Sequence, residues 1–109
     1  MKIAIVGSRT ISDIKLDEHI SATDEIVSGG ANGVDTIANK YASANGIKIT
    51  EFLPNYKKYG RAAPIIRNRE IVDYSDKVVV FWDGTSKGSL SVIKYAKKVG
   101  KPCVVCILK

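Results

Sequence analysis

Two glycine-rich turns carry the residue types and spacing that could do chemistry here: Ser28-Gly29-Gly30-Ala31-Asn32-Gly33 and Asp83-Gly84-Thr85-Ser86-Lys87-Gly88-Ser89. Each follows an apolar run, Glu25–Ser28 and Val78–Trp82, and each opens into a helical pattern. A helix starting at such a turn leaves its first backbone N–H groups without intrahelical acceptors, at the positive end of its dipole. Glycine permits the tight turn and lets a ligand come close to the backbone. Two such turns in 109 residues point to a site for phosphate or another anion.

Further candidates gather around them. Gly7-Ser8-Arg9 closes the first apolar run, where the Arg9 guanidinium can fork onto a phosphate. Asp35 stands in the first turn of the helix after the first glycine turn; it suits ribose hydroxyls and the helix dipole equally. Arg67 and Asn68 fall early in a later helix. Asn68 shares a stripe with Ile65 and Val72 that is expected to face inward, so its amide needs a ligand or a backbone partner. Tyr56, Tyr59 and Trp82 offer rings on which a base could stack, and core or rim packing would account for them as well. His19 is a lone histidine, read as structural or surface. No cluster has metal-ligand spacing, and no cofactor is expected.

Cys103 and Cys106 have Cys-x-x-Cys spacing but lie in a strand-like run, Cys103–Leu108. At about 3.3 Å per residue they stand roughly 10 Å apart on opposite faces. That is beyond the ~7 Å reach of a disulfide. Two buried, reduced thiols are expected.

The elements that must position these residues alternate strand and helix. Strands are expected at Ile3–Val6, Glu25–Ser28, Ile47–Leu53, Asp76–Trp82 and Pro102–Leu108. A short helix is expected around Asp13–Ser21, with Leu16 and Ile20 inward. Another runs from about Val34 to Asn45, where Val34, Ile37, Ala38, Tyr41 and Ala42 form one stripe before Gly46. A loop from Pro54 leads to a helix with Pro64 in its first turn, ending near Ser75. Leu90, Ile93, Ala96 and Val99 mark the last helix, before Gly100. Short apolar strands separated by helices argue for a single doubly wound α/β domain over residues 1–109 with a parallel sheet. Right-handed crossovers put the three candidate turns on the carboxyl edge, where such sheets bind ligands near the switch in strand order.

The formal net charge of +6 is unevenly placed. Residues 54–69 hold Lys57, Lys58, Arg61, Arg67 and Arg69 without an acidic residue, and no carboxylate follows Asp83. The late lysines read as a solvated helix face, while the 54–69 cluster sits in a connection and favours a phosphorylated ligand, with nucleic acid second. No apolar run approaches the roughly 20 residues of a membrane span, and no signal-peptide pattern is visible, so a cytoplasmic protein without membrane contact is expected.

With the motifs in place, the chain resembles the SLOG superfamily of Rossmann-like domains, which joins DNA-processing protein A to the Lonely Guy nucleotide hydrolases. The stretches that carry it are Ile5–Arg9 and Ser28–Ala38. Gly60–Asn68 and Phe81–Gly88 are similar to stretches of its short, stand-alone YspA-like members. The resemblance implies a three-layer fold with a five-stranded parallel sheet in the order 3-2-1-4-5. It implies binding of a nucleotide-derived small molecule, as a sensor or sequestering module, through Gly7, Ser8, Arg9, Ser28, Gly29, Gly30, Asn32, Gly33, Asp35, Arg67, Asn68, Trp82, Asp83, Gly84, Thr85, Ser86, Gly88 and Ser89. It also implies a homodimer or larger assembly. The chain departs from the hydrolases at the glutamate that cleaves the N-glycosidic bond, where it has Val92. A carboxylate is what would stabilise or attack an oxocarbenium ion, so binding without turnover is expected. The alternatives are a nucleoside-phosphate glycosidase, with Asp35 or Asp83 as substitute carboxylates, and single-stranded DNA binding.

Overall fold

The computed structural model describes residues 1–11, 14–30 and 33–108. Strands β1 (Lys2–Gly7), β2 (Glu25–Ser28), β3 (Lys48–Glu51), β4 (Lys77–Trp82) and β5 (Cys103–Ile107) form one sheet, all parallel, in the order β3-β2-β1-β4-β5. Helices α1 (Val34–Asn45), α2 (Tyr56–Tyr59), α3 (Ala63–Tyr74) and α4 (Lys87–Lys98) complete it, with a 3-10 turn at Gly60–Ala62 between α2 and α3. This is the Rossmann-like α/β architecture and strand order expected from the sequence.

The two-residue period of the strands sorts the core into two layers. Ile3 and Ile5 of β1 join Ile26, Val79 and Phe81 under α1, against Val34, Ala38 and Ala42. Ala4 joins Val27, Val78 and Val80 on the other face, against Ile71 and Val72 of α3 and Val92, Ile93 and Ala96 of α4. Central strands buried on both sides carry no polar alternation, which explains their continuous apolar runs. Each valine or isoleucine so buried contributes about 1.5–3 kcal/mol.

Several local expectations are corrected. No helix forms over the described part of the segment after β1; Asp13 lies outside the described residues. Leu16 and Ile20 do face the core, but one turn suffices, closed by the His19 and Ile20 N–H groups on the Leu16 carbonyl, both 2.9 Å. Beyond Ile20, the Asp24 carboxylate accepts the Ser21 N–H at 2.8 Å and turns the chain into β2. Two anchors four residues apart repay one turn, not the nucleation of a longer helix. In α3 the inward stripe runs through Pro64, Asn68 and Val72 instead of Ile65, which is 48% exposed. Cys103 and Cys106 are free thiols on opposite sides of the sheet, as expected, yet half-buried, because β5 is an edge strand. No described helix is long and apolar enough to cross a membrane.

One glycine sets how closely α1 sits on the sheet. A Cβ on Gly7 would lie 2.4 Å from Val34 Cγ2 and 2.7 Å from the Phe81 carbonyl oxygen. Both neighbours belong to packed elements, so neither can yield cheaply. Gly7→Ala is therefore expected to destabilise the fold by about 1–3 kcal/mol, the usual scale of overpacking, in urea denaturation. Gly46→Ala is the contrast: its φ of 65° is strained for alanine, but nothing lies within 4 Å, so a loss nearer 1 kcal/mol is expected.

Candidate functional site

Strand order reverses between β1 and β4, and the chain leaves their carboxyl ends in opposite directions. A cleft of about 400 Å³ opens there, lined among others by Gly7, Arg9, Asp35, Arg67, Asn68 and Ser89. A second cavity of about 280 Å³, flanked by Gly29, Gly30, Pro54 and Tyr56, shares Arg9, Pro64 and Arg67 with it. The three candidate turns thus meet along one edge, with α3 as the opposite wall.

Its floor is set by Asp83. The Asp83 Oδ1 accepts the N–H groups of Thr85 (2.9 Å) and Ser86 (2.8 Å) and the Thr85 hydroxyl (3.2 Å). The Oδ2 accepts the Thr10 hydroxyl at 2.8 Å. Asp83 N–H in turn donates to Ser8 Oγ at 3.2 Å, and Ser8 N–H to the Phe81 carbonyl at 3.0 Å. The turn after β4 is thereby tied to the turn after β1. These donors, the Thr85 and Ser86 amides foremost, hold the Asp83 carboxyl far below the usual carboxylate range.

The tied turn delivers the start of α4. Ser86 caps it, with its Oγ accepting the Ser89 N–H at 3.4 Å. Trp82 Nε1–H donates to the Ser86 carbonyl at 3.0 Å, while its ring packs into the α3–α4 side of the core. Ser89 is 3% exposed, and its Oγ has no hydrogen-bond partner among the described residues. A buried hydroxyl in that condition costs about 1–3 kcal/mol. One turn further along, Val92 is buried against the sheet.

On the other wall Arg67 is half-buried, its Nη1 donating to the Gly29 carbonyl at 2.7 Å and its Nε to Asn68 Oδ1 at 2.8 Å. A Cβ at Gly29 would lie 2.6 Å from that guanidinium, so glycine is what lets α3 bind the first glycine-rich turn. Gly33 has φ +78° and would crowd the Arg9 and Ser8 backbone if it carried a Cβ, with 2.9 Å to Arg9 Cα. Ser28 is fully buried; its Oγ accepts the Gly30 N–H at 3.3 Å and its carbonyl the Phe52 N–H at 2.8 Å.

Of the candidates, Gly7, Arg9, Asp35, Arg67, Asn68, Asp83, Ser86, Gly88 and Ser89 line the larger cleft. Gly29 and Gly30 line the smaller cavity. Ser8, Ser28 and Trp82 brace the turns from behind, Gly84 and Thr85 stand exposed at the rim, and Asn32 lies outside the described residues. Three lining residues were not among the expected site residues: Val6, Thr10 and Pro64. Thr10 follows Arg9 in the same turn, and its pairing with Asp83 73 positions away emerges only from the fold. No group of three or more His, Cys, Asp or Glu side chains among the described residues is placed to hold a metal ion.

The Asp83 tie has a pH signature. A carboxyl whose folded value is depressed adds stability above its unfolded value, about 3.9 for aspartate, and loses it as pH falls toward the folded value. Asp83→Ala is expected to lower the melting temperature at pH 7. The gap from the parent chain should narrow steadily below about pH 4 in scans across the acid range.

A family model described as the YspA, cpYpsA-related SLOG family matches residues 1–59, a stretch that holds the Arg9 turn and the first glycine-rich turn. The chain is also 32% identical over 117 aligned positions to the "Gene 61 protein" of Mycobacterium phage D29, with 94% of each protein covered. No solved structure matches it significantly. A family match over more than half the length, with a relative similar along nearly all of it, shows that the chain belongs to the YspA, cpYpsA-related SLOG family.

Proposed function

We propose that the cleft binds a nucleotide or nucleotide-derived small molecule and holds it without rapid turnover, as a sensing or sequestering module. The observation that carries this is Ser89, whose buried Oγ lacks a partner in the first turn of α4. A phosphate oxygen there would satisfy the hydroxyl and meet the Lys87 and Gly88 N–H groups at the positive helix end. Arg9, exposed across the cleft, would close on the same phosphate as a charge-assisted fork. Asp35 and Asn68 would then face a ribose, and the smaller cavity, with Pro54 and Tyr56, would take the base.

The carboxylates favour binding over N-glycosidic cleavage. Val92 stands at the hydrolase glutamate position and is buried against the sheet. Asp83 is anionic with both oxygens engaged, a poor state for a general acid. Among the described residues that line the cleft Asp35 is the other carboxylate, and it is the candidate through which a hydrolytic reaction would run.

Calorimetry against mononucleotides, cyclic nucleotides and ADP-ribose derivatives tests the proposal, guided by native mass spectrometry for a co-purifying nucleotide. Arg9→Ala is expected to weaken binding by about 1.5–3 kcal/mol, the scale of a charge-assisted hydrogen bond. Ser89→Ala should also weaken binding while leaving the empty protein as stable or more so, since it removes a buried orphan hydroxyl. Chromatography of the same mixtures should show no steady release of base. Release abolished by Asp35→Asn would make the protein a glycosidase instead. Binding only to single-stranded oligonucleotides, with steep salt dependence, would turn the proposal to nucleic acid.

We also propose a homodimer. A sheet of five short strands has little area to enclose a ligand alone, and edge strand β5 leaves Val104 and Val105 37% and 38% exposed. Sedimentation equilibrium should show a dimer at high micromolar concentration, and a monomer there would reject it.

A further inference from the structure

The lone histidine and the second cysteine, which the proposed nucleotide cleft does not use, meet on the face of the sheet that α1 covers, outside the cleft lining. Cys106 Sγ lies 3.9 Å from His19 Nε2. The His19 ring stands edge-on to Phe81, 5.6 Å between centroids and 81° between planes. A cavity of about 300 Å³ opens onto the pair, walled by Ile14, Phe81 and Leu108 and bordered by Lys15 and Glu18. A thiol, an imidazole within reach of its proton and an open apolar cavity are the parts of an activated cysteine.

Cys103 supplies the contrast within the same strand. It faces the other side, among the α3–α4 core residues, with no imidazole beside it. Burial there pushes its thiol up, away from the reactive thiolate.

We propose that Cys106 is a site of reversible thiol modification, assisted by His19, that exchanges with low-molecular-weight disulfides bearing carboxylates, such as oxidised glutathione. His19 Nε2 takes the Cys106 proton, and the thiolate attacks one sulfur of the disulfide. A new S–S bond joins Cys106 to one half, the old S–S bond breaks, and the other half leaves as a thiolate that takes the proton back from His19. No net electrons are gained or lost, because the incoming disulfide is the oxidant. Lys15 would draw a carboxylate of the reagent to the cavity rim, and Glu18 beside it would meet the ammonium group that oxidised glutathione also carries.

The test follows oxidised glutathione adducts by intact-mass spectrometry on the whole chain. The parent chain and Cys103→Ser should each gain one glutathionyl group, and Cys106→Ser none over the same time. His19→Gln should slow the adduct about tenfold at neutral pH, less than an aligned general base contributes because the contact is long. The rate–pH profile of the parent should show an imidazole limb that His19→Gln lacks, which a merely structural histidine would not produce. In denaturant the two cysteines should react at similar rates. Should His19→Gln fail to fold, the ratio of Cys106 to Cys103 adducts in the folded parent chain still decides. Equal reaction of the two thiols in the folded chain, or a His19→Gln profile identical to the parent, overturns the proposal.

Discussion

The cleft depends on one constraint, the tie between the turns that follow β1 and β4. Adjacent parallel strands fan apart with the twist of the sheet, and at a switch point nothing in the backbone ladder controls what happens beyond their ends. Asp83 supplies that control. Its carboxylate gathers two amides and a hydroxyl of its own turn and the Thr10 hydroxyl across the gap, while its amide reaches Ser8. The placement of Arg9 relative to the first turn of α4 is thereby set by hydrogen bonds among side chains that do not themselves need a ligand. A site organised in this way is preformed, so little ordering would oppose binding.

Glycine governs the other dimension, how closely the layers approach. At Gly7 it seats α1 on β1 and β4, at Gly33 it brings the start of α1 onto the Arg9 backbone, and at Gly29 it admits the Arg67 guanidinium. Arg67 is then both wall and brace. Two of its nitrogens hold Gly29 and Asn68, which couples α3 to the end of β2 and turns Asn68 toward the cleft. Glu25 performs a similar task at the opposite end of β2, where its Oε2 accepts the Thr50 and Tyr74 hydroxyls at 2.7 and 2.8 Å. Each end of a four-residue strand is thus pinned by a charged side chain reaching across elements.

What the sequence made legible follows from the range of the interactions involved. The strands and helices that flank the glycine-rich turns and the Gly46 cap of α1 are written in runs of neighbouring residues and lie close to where the apolar patterns put them, whereas strand order came with the family resemblance. The segment after β1 was not legible, because Leu16 and Ile20 at helical spacing satisfy one turn as well as a helix. The Ile65 stripe misled for a related reason: α3 borders an open cleft, so its first turns have a face that is neither core nor solvent, and Pro64 and Asn68 occupy it. The role of Thr10 and the orphan state of Ser89 could not be read at all, since each is defined by a group distant in sequence or by its absence.

An anion site, as proposed for the cleft, has two carboxylates to accommodate among its described lining residues, Asp35 and Asp83. Asp83 is held by the Thr85 and Ser86 amides and the Thr10 hydroxyl, so its carboxylate is committed to fixing the start of α4. Arg9 is exposed, and Arg67 is committed to the first glycine turn, so the two cations act at different ranges: one free to close on a ligand, one fixed in the wall. Arg9 and the α4 N-terminus bring positive charge to the cleft, and the Asp35 carboxylate joins its lining from the first turn of α1. In the proposed complex that polarity would orient a ligand with phosphate at one end and hydroxyls at the other. Asp35 would then meet the hydroxyl end, where a carboxylate can accept hydrogen bonds from a sugar.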